Sequence, residues 1–224
     1  MDLVWLYIYS YLIGSVPTAY IIAMFAKGVD IRKSGSGNVG ASNLYQIAGK
    51  GWVAPLALFE LLIKGCTPIW VGQYLIGLDR SSMLLMSAPL LAVIGNNWPV
   101  FLRFQGGRGV AVAVGTMAAL SPVMLVASAA VALGGWVVTR SAGIWVLIAI
   151  ALLPMWAVAS GEPSALALYS VCLVALIAFK RLLGNQVGFP LGISKRKVLF
   201  NRLFRDRDVD DRTEWVQRAE KPLD

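Results

Sequence analysis

Apolar residues run through this chain in blocks too long and too unbroken to be one face of a water-soluble helix. Between Met1 and Ala26 the only charge is Asp2, and none occurs from Gly109 to Thr139 or from Ser141 to Gly161. Roughly 20 apolar residues in a helix cross the hydrocarbon of a bilayer. With Gly, Pro and charge as punctuation, the pattern predicts helices over about 2–26, 52–78, 82–97, 109–120, 122–139, 143–160 and 164–179. Ser121-Pro122 divides the apolar stretch between Arg108 and Arg140 and leaves the fourth helix short. The first block has no basic leader and carries Gly14, Ser15 and Pro17 in its middle, followed by more apolar residues. It is read as a retained helix rather than a signal peptide.

Composition sharpens this into a membrane protein. Of 224 residues 58% are hydrophobic and 14% charged, with a mean hydropathy of +0.68; a soluble domain carries about 25% charged residues. The net charge of +8 is concentrated in loops, at Lys27, Arg32, Lys33 and Lys50, at Arg103 and Arg108, and at Lys180, Arg181 and Lys195 to Lys197. Basic loops stay on the cytoplasmic side. If all of these do, an even number of crossings separates Arg108 from Lys180. The expectation is an all-α integral membrane protein of seven transmembrane helices, N-terminus outside and C-terminus cytoplasmic. Residues 1–183 would form the membrane domain and 184–224 a charged cytoplasmic tail, basic first and acidic around Asp206 to Asp211. Lys and Arg near anionic headgroups contribute about 1 kcal/mol each, so the positive charge calls for no nucleic acid. There is no histidine, which removes His-ligated metal sites and His-based triads. Cys66 and Cys172, inside apolar runs, are expected to be small buried hydrophobes. Neither a metal nor a cofactor is expected.

Two loops carry the candidate chemistry. The first runs from Asp30 to Asn43 and contains Gly35, Gly37 and Gly40, with Ser36, Asn38, Ser42 and Asn43 as side-chain donors. Successive backbone N–H groups in such a loop converge into a nest for phosphate, aided by a following helix N-terminus. The second runs from Gly95 to Gly109, where Gly106, Gly107 and Gly109 flank Arg108 at the start of an apolar helix; a guanidinium there clamps two anion oxygens. Trp98 and Phe101 are expected as interfacial anchors. Neither loop has the spacing of a P-loop. Lys64 lies in the second span with Glu60 four residues before it, a spacing that allows an ion pair on one helix face. A charge within a span points to function, either as such a structural pair or as a ligand group.

These loops resemble the PlsY family of acyl-phosphate:glycerol-3-phosphate acyltransferases. The likeness covers Gly14-Ser15-Val16-Pro17, Asp30-Ile31-Arg32 with the run Gly35 to Asn43, Lys64-Gly65, Asn97-Trp98-Pro99, Gly106 to Ala111, and Lys180 to Leu183. The family usually has His at Asn96, Arg at Gln46, Lys at Arg108 and Thr at Ser42 and Val112. It has a His and an Asn where Ala175 to Phe179 is apolar, and a Glu near Gln186. The resemblance implies a seven-helix bacterial inner-membrane enzyme, active face cytoplasmic, that needs no cofactor. It would move an acyl chain from acyl phosphate to glycerol 3-phosphate, giving lysophosphatidate. Arg108, Ser36 and Asn38 would be catalytic. Gly35, Gly37, Gly40, Ser42, Asn43, Lys64, Asn97, Gly106, Gly107 and Gly109 would bind substrate. The departures also suit an alternative, a non-catalytic paralogue that binds a phosphate-bearing lipid or acts as a membrane partner.

Overall fold

Each predicted apolar block is helical, and no strand occurs among the described residues, which in this computed structural model are 1–184, 189, 192–211 and 215. Gln186 lies outside them. The first block is divided into α1 (Asp2–Ser15) and α2 (Thr18–Lys27). Pro17 disfavours helical geometry in the residue before it, and Val16 accordingly takes ψ 118°, so the block bends there. A short α3 (Ala41–Ala48) follows the first loop.

The second block, α4 (Lys50–Leu75), is not a regular α-helix. Wide turns with i→i+5 hydrogen bonds run over Phe59–Cys66 and Val71–Leu75. Pro68 supplies a reason, since it has no N–H to return to the carbonyl of Lys64. Then come α5 (Met83–Asn97), α6 (Val110–Leu120), α7 (Pro122–Thr139), α8 (Ala142–Ala159), α9 (Ser164–Leu183) and, in the tail, α10 (Lys195–Arg205).

Among the described residues, six helical stretches are long and apolar enough to cross a bilayer: Asp2–Lys27, Lys50–Leu75, Met83–Leu102, Pro122–Thr139, Ala142–Ala159 and Ser164–Leu183. The seventh block, α6, has 11 residues, or about 16 Å of helix against a hydrocarbon core of about 30 Å. It is the helix that the sequence marks as short. Val112, Ala113, Gly115, Thr116, Met117 and Leu120 of α6 are buried, whereas α7 buries only Met124 and Gly135 and exposes Val123, Val126, Leu133 and Val138.

Two apolar cores organise the bundle. The larger joins residues of α4 to α9 around Met86, Val93, Val112, Met117, Tyr169 and Leu173. The smaller, around Ala19, Ala23, Ile31, Val39, Leu44, Leu56 and Leu102, lies under the first loop. At the α4–α6 crossing the backbones nearly touch: a methyl on Gly65 would lie 2.6 Å from Gly115 Cα, and one on Gly115 would lie 2.1 Å from the Leu61 carbonyl oxygen. Small residues at a crossing are what permit such close packing.

The described part of the tail is docked on the bundle rather than set apart from it. Arg181 donates to the carbonyls of Gly143 (2.9 Å) and Leu203 (3.0 Å). Arg202 donates to those of Leu182 (3.3 Å) and Leu183 (3.1 Å) and grips the buried Asp208 carboxylate with two bonds, 2.7 and 3.3 Å.

Candidate functional site

The first loop is built by its own polar residues. The Asp30 carboxylate accepts from the Arg32 backbone N–H (3.0 Å) and from its guanidinium (3.0 and 2.7 Å), which lies 5.3 Å from the centre of the Tyr20 ring. The hydrogen bond from the Arg32 side chain, outweighing burial, holds the Asp30 carboxyl below its ordinary 3.8. Ile31, Val39 and Leu44 pin the loop from beneath by entering the smaller core. Apolar anchors at this spacing exclude a floppy linker.

Asn43 sits at the centre, fully buried. Its Oδ1 accepts from Ser36 N–H (3.1 Å), and its Nδ2 donates to the carbonyls of Ile31 (3.1 Å), Ser34 (3.0 Å) and Asn38 (3.1 Å). The sequence suggests Asn43 as a ligand donor; the structure uses its amide as an internal brace. Gly35 (φ +58°) and Gly37 (φ +69°) supply the left-handed turns around it, and a methyl on Gly35 would lie 2.2 Å from Asn43 Oδ1. The Ser36 hydroxyl accepts from Asn38 N–H at 3.5 Å. Gly40 caps the N-terminus of α3, where Ser42 is exposed on the first turn.

The second loop doubles back on the end of α5, with Gly107 N–H donating to the Asn96 carbonyl at 3.0 Å. Gly106 packs on Asn96 and Pro99. The decisive contact is at Gly107: a methyl there would lie 2.5 Å from the Val39 carbonyl oxygen of the first loop. The two glycine-rich loops therefore meet, backbone to backbone. Gly109 (φ +74°) starts α6 against Asn97. Asn97 is fully buried, and both polar atoms of its side chain lack a hydrogen-bond partner. An orphaned buried amide costs about 1–3 kcal/mol.

Lys64 bridges its own helix to this junction. Its ammonium donates to Glu60 Oε1 (2.6 Å) and to Asn96 Oδ1 (3.0 Å). An ammonium offers donors alone, so Asn96 must present its oxygen to Lys64 and turn its NH2 away, toward Gly107, where a methyl would lie 3.3 Å from Asn96 Nδ2. Thr18 beside the Pro17 break, Val39, Glu60, Lys64, Asn96 and Gly106 line one narrow cavity. Its walls thus come from α2, α4 and both loops.

Arg108 is buried, but its partners were not foreseeable from local sequence. Its Nε donates to Asp206 Oδ1 at 2.6 Å and its Nη1 to the Lys180 carbonyl at 3.3 Å. Asp206 comes from the tail, 98 positions away, and only the acidic run around it was visible in the sequence. Lys180 in turn lies 5.0 Å from the centre of the Trp98 ring. Among the described residues there is no group of three or more His, Cys, Asp or Glu that could hold a metal ion. Backbone N–H groups, the Asn97 amide and the buried cations Lys64 and Arg108 are the groups here whose chemistry suits anionic oxygen.

Comparison with known proteins points the same way. The model of the glycerol-3-phosphate acyltransferase family matches residues 4–185. The chain is 33% identical over 219 residues to glycerol-3-phosphate acyltransferase 4 of Dehalococcoides mccartyi, covering 93% of this chain and 90% of that protein. It is 38% identical over 165 residues to glycerol-3-phosphate acyltransferase of Rubrobacter xylanophilus, covering 72% and 79%. Among solved structures it is similar to PlsY (YgiH), an integral membrane glycerol 3-phosphate acyltransferase. The glycerol 3-phosphate form superposes with a TM-score of 0.75 at 30% identity, over 85% of this chain and 96% of that one. A helical bundle with two joined glycine loops, matched over most of its length, places the chain in the glycerol-3-phosphate acyltransferase family.

Proposed function

We propose that the protein transfers an acyl chain from acyl phosphate to glycerol 3-phosphate, forming lysophosphatidate for phospholipid synthesis at the cytoplasmic face of a bacterial inner membrane. The observation that carries this is the junction at Gly107 and Val39, where two anion-binding loops meet beside the cavity lined by Lys64 and Asn96. Such a junction suits a reaction between two phosphate-bearing substrates. The structures of relatives include a glycerol 3-phosphate form and a lysophosphatidic acid form.

In the reaction the glycerol hydroxyl oxygen attacks the acyl carbonyl carbon. The bond from that carbon to the phosphate oxygen breaks, phosphate leaves with the electron pair, and a phosphate oxygen takes the hydroxyl proton. The leaving group is already good, so no protein nucleophile is needed. The protein contributes proximity and stabilisation of the developing oxyanion. The Ser36 and Asn38 side chains and the amides of Gly35 and Ser42 hold one phosphate, in a loop shaped by the N–H bonds of Gly37 to Ser34 and of Gly40 to Asn38. Arg108 with the amides of Gly106 and Gly109 holds the other, and Gly107 fixes the loop through its N–H to the Asn96 carbonyl. Asn97 and Lys64 serve the second loop from below, and Asn43 fixes the first.

Purified protein given acyl phosphate and labelled glycerol 3-phosphate should yield labelled lysophosphatidate, and Arg108→Ala should abolish it. No product, with phosphate binding intact, would replace the enzyme with a phosphate-binding paralogue; the occupied guanidinium of Arg108 is the feature that favours that second outcome.

A further inference from the structure

The family match ends at residue 185, yet a residue beyond it reaches the cation that the proposed function assigns to phosphate. Asp206 ends α10 in the left-handed region (φ +57°), a conformation that Asp tolerates better than most residues. From there its carboxylate receives Arg108 Nε at 2.6 Å. The Asp206 side chain is 27% exposed and that of Arg108 6%, so the carboxylate is the more exposed partner of a buried guanidinium. The tail does not depend on this bond for its place, because Arg202 ties it independently to Asp208 and to the end of α9.

A guanidinium matches carboxylate and phosphate by the same geometry. A carboxylate tethered in the chain competes for it at an effective concentration on the order of millimolar or more. It brings one negative charge, whereas a phosphate monoester brings about two at neutral pH. Around an integral membrane protein the most abundant anions are lipid phosphodiesters, with one charge each.

Building on the acyltransferase function, we propose that Asp206 is a resident counter-ion that determines which anions take the Arg108 seat. It yields to dianionic phosphate monoesters and holds the seat against monoanionic phosphodiester headgroups. Asp206 is thus a specificity-determining residue supplied by the tail, and it touches Arg108 rather than the reacting atoms.

Full-length protein is assayed in nanodiscs of phosphatidylcholine with and without phosphatidylglycerol. Removing the charge in Asp206→Asn should lower the apparent KM for acyl phosphate about tenfold, the order of one charge-assisted hydrogen bond no longer contested. The kcat should change little, and inhibition by phosphatidylglycerol should appear. Asp206→Glu should restore wild-type behaviour. Asp210→Asn, which removes the tail carboxylate that Lys197, Asn201 and Arg205 hold, should match wild type. A KM that is unchanged or higher in Asp206→Asn, or an unaltered response to phosphatidylglycerol, overturns the proposal. Calorimetric titration with inorganic phosphate needs no turnover. If wild type makes no product, the acyltransferase function fails, and equal phosphate affinity in wild type and Asp206→Asn then overturns the counter-ion as well, whereas tighter binding by the variant upholds it.

Discussion

Lys64 serves two acceptors from inside a span, and the way it could fail separates its two roles. Lys64→Ala leaves Glu60 as an unpaired buried carboxylate, which costs about 3–5 kcal/mol; thermal unfolding in detergent should show a large drop. Replacing both charges, Glu60→Leu with Lys64→Met, should melt close to wild type. The double variant frees Asn96 to rotate, so its affinity for inorganic phosphate should fall. Equal affinity in the double variant and wild type would make the pair purely structural. Asn97 invites the opposite trade. Asn97→Leu removes two buried polar atoms that have no partner, so the melting temperature should hold or rise while phosphate affinity drops. A fall in both would show an amide that the packing needs. At this scale the sequence exposed the Glu60–Lys64 pair, because a four-residue spacing in a helix is a local rule. It hid the service of Asn43 to three loop carbonyls and the reach of Asp206 to Arg108, since nothing in a residue type names a partner set by tertiary folding.

Among the elements, the first loop opens on one partly exposed ion pair. Asp30 and Arg32 set its entry, and the Asp30 carboxyl is held below its ordinary 3.8 by that bond. The sign follows: a depressed carboxyl stabilises the loop above the unfolded value, and that contribution is lost as pH falls from 3.8 through the lower folded one. Amide exchange of residues 30–36, corrected for intrinsic rate, should therefore accelerate below pH 3.8, while exchange in the α4–α6 crossing stays slow. Uniform acceleration would assign the effect to the whole bundle. The elements themselves were largely legible. Apolar length and Pro122 place most helix limits within a few residues, because those signals are covalent and local, whereas the block read as one helix over 2–26 breaks at Pro17. The i→i+5 turns of α4 were not legible: a widened turn depends on what packs beside it as well as on Pro68. Nor was α10 predicted, since a basic segment folds there by docking its buried Val198, Asn201 and Arg202 against the bundle.

As a whole the molecule is a bundle with two very close backbone crossings, α1 on α5 at Gly14 and Ala92 and α4 on the short α6 at Leu61 and Gly115; α6 directly follows the second loop. Gly115→Leu would drive a side chain into the Leu61 carbonyl, where even a methyl stands at 2.1 Å. The expected result is loss of phosphate binding together with loss of the folded bundle, read by binding and by melting. A variant that binds normally would mean that α4 and α6 can separate without disturbing the loops.

The shortness of α6 also bears on how the chain is made. A segment of 11 residues gains too little by partitioning into lipid to enter on its own, and only Ser121 separates it from α7. In the seven-helix topology expected from the sequence, the two would cross together, or α6 would wait for α4 to offer the surface at Gly65. Should α6 stay behind, every later helix enters the bilayer upside down, and Asp206 finishes on the opposite side of the membrane from Arg108. The close α4–α6 contact thereby also guards the orientation of half the chain during synthesis, and cysteines placed in the loop at Ser141 would report, by their labelling from one side or the other, on which way each molecule went in.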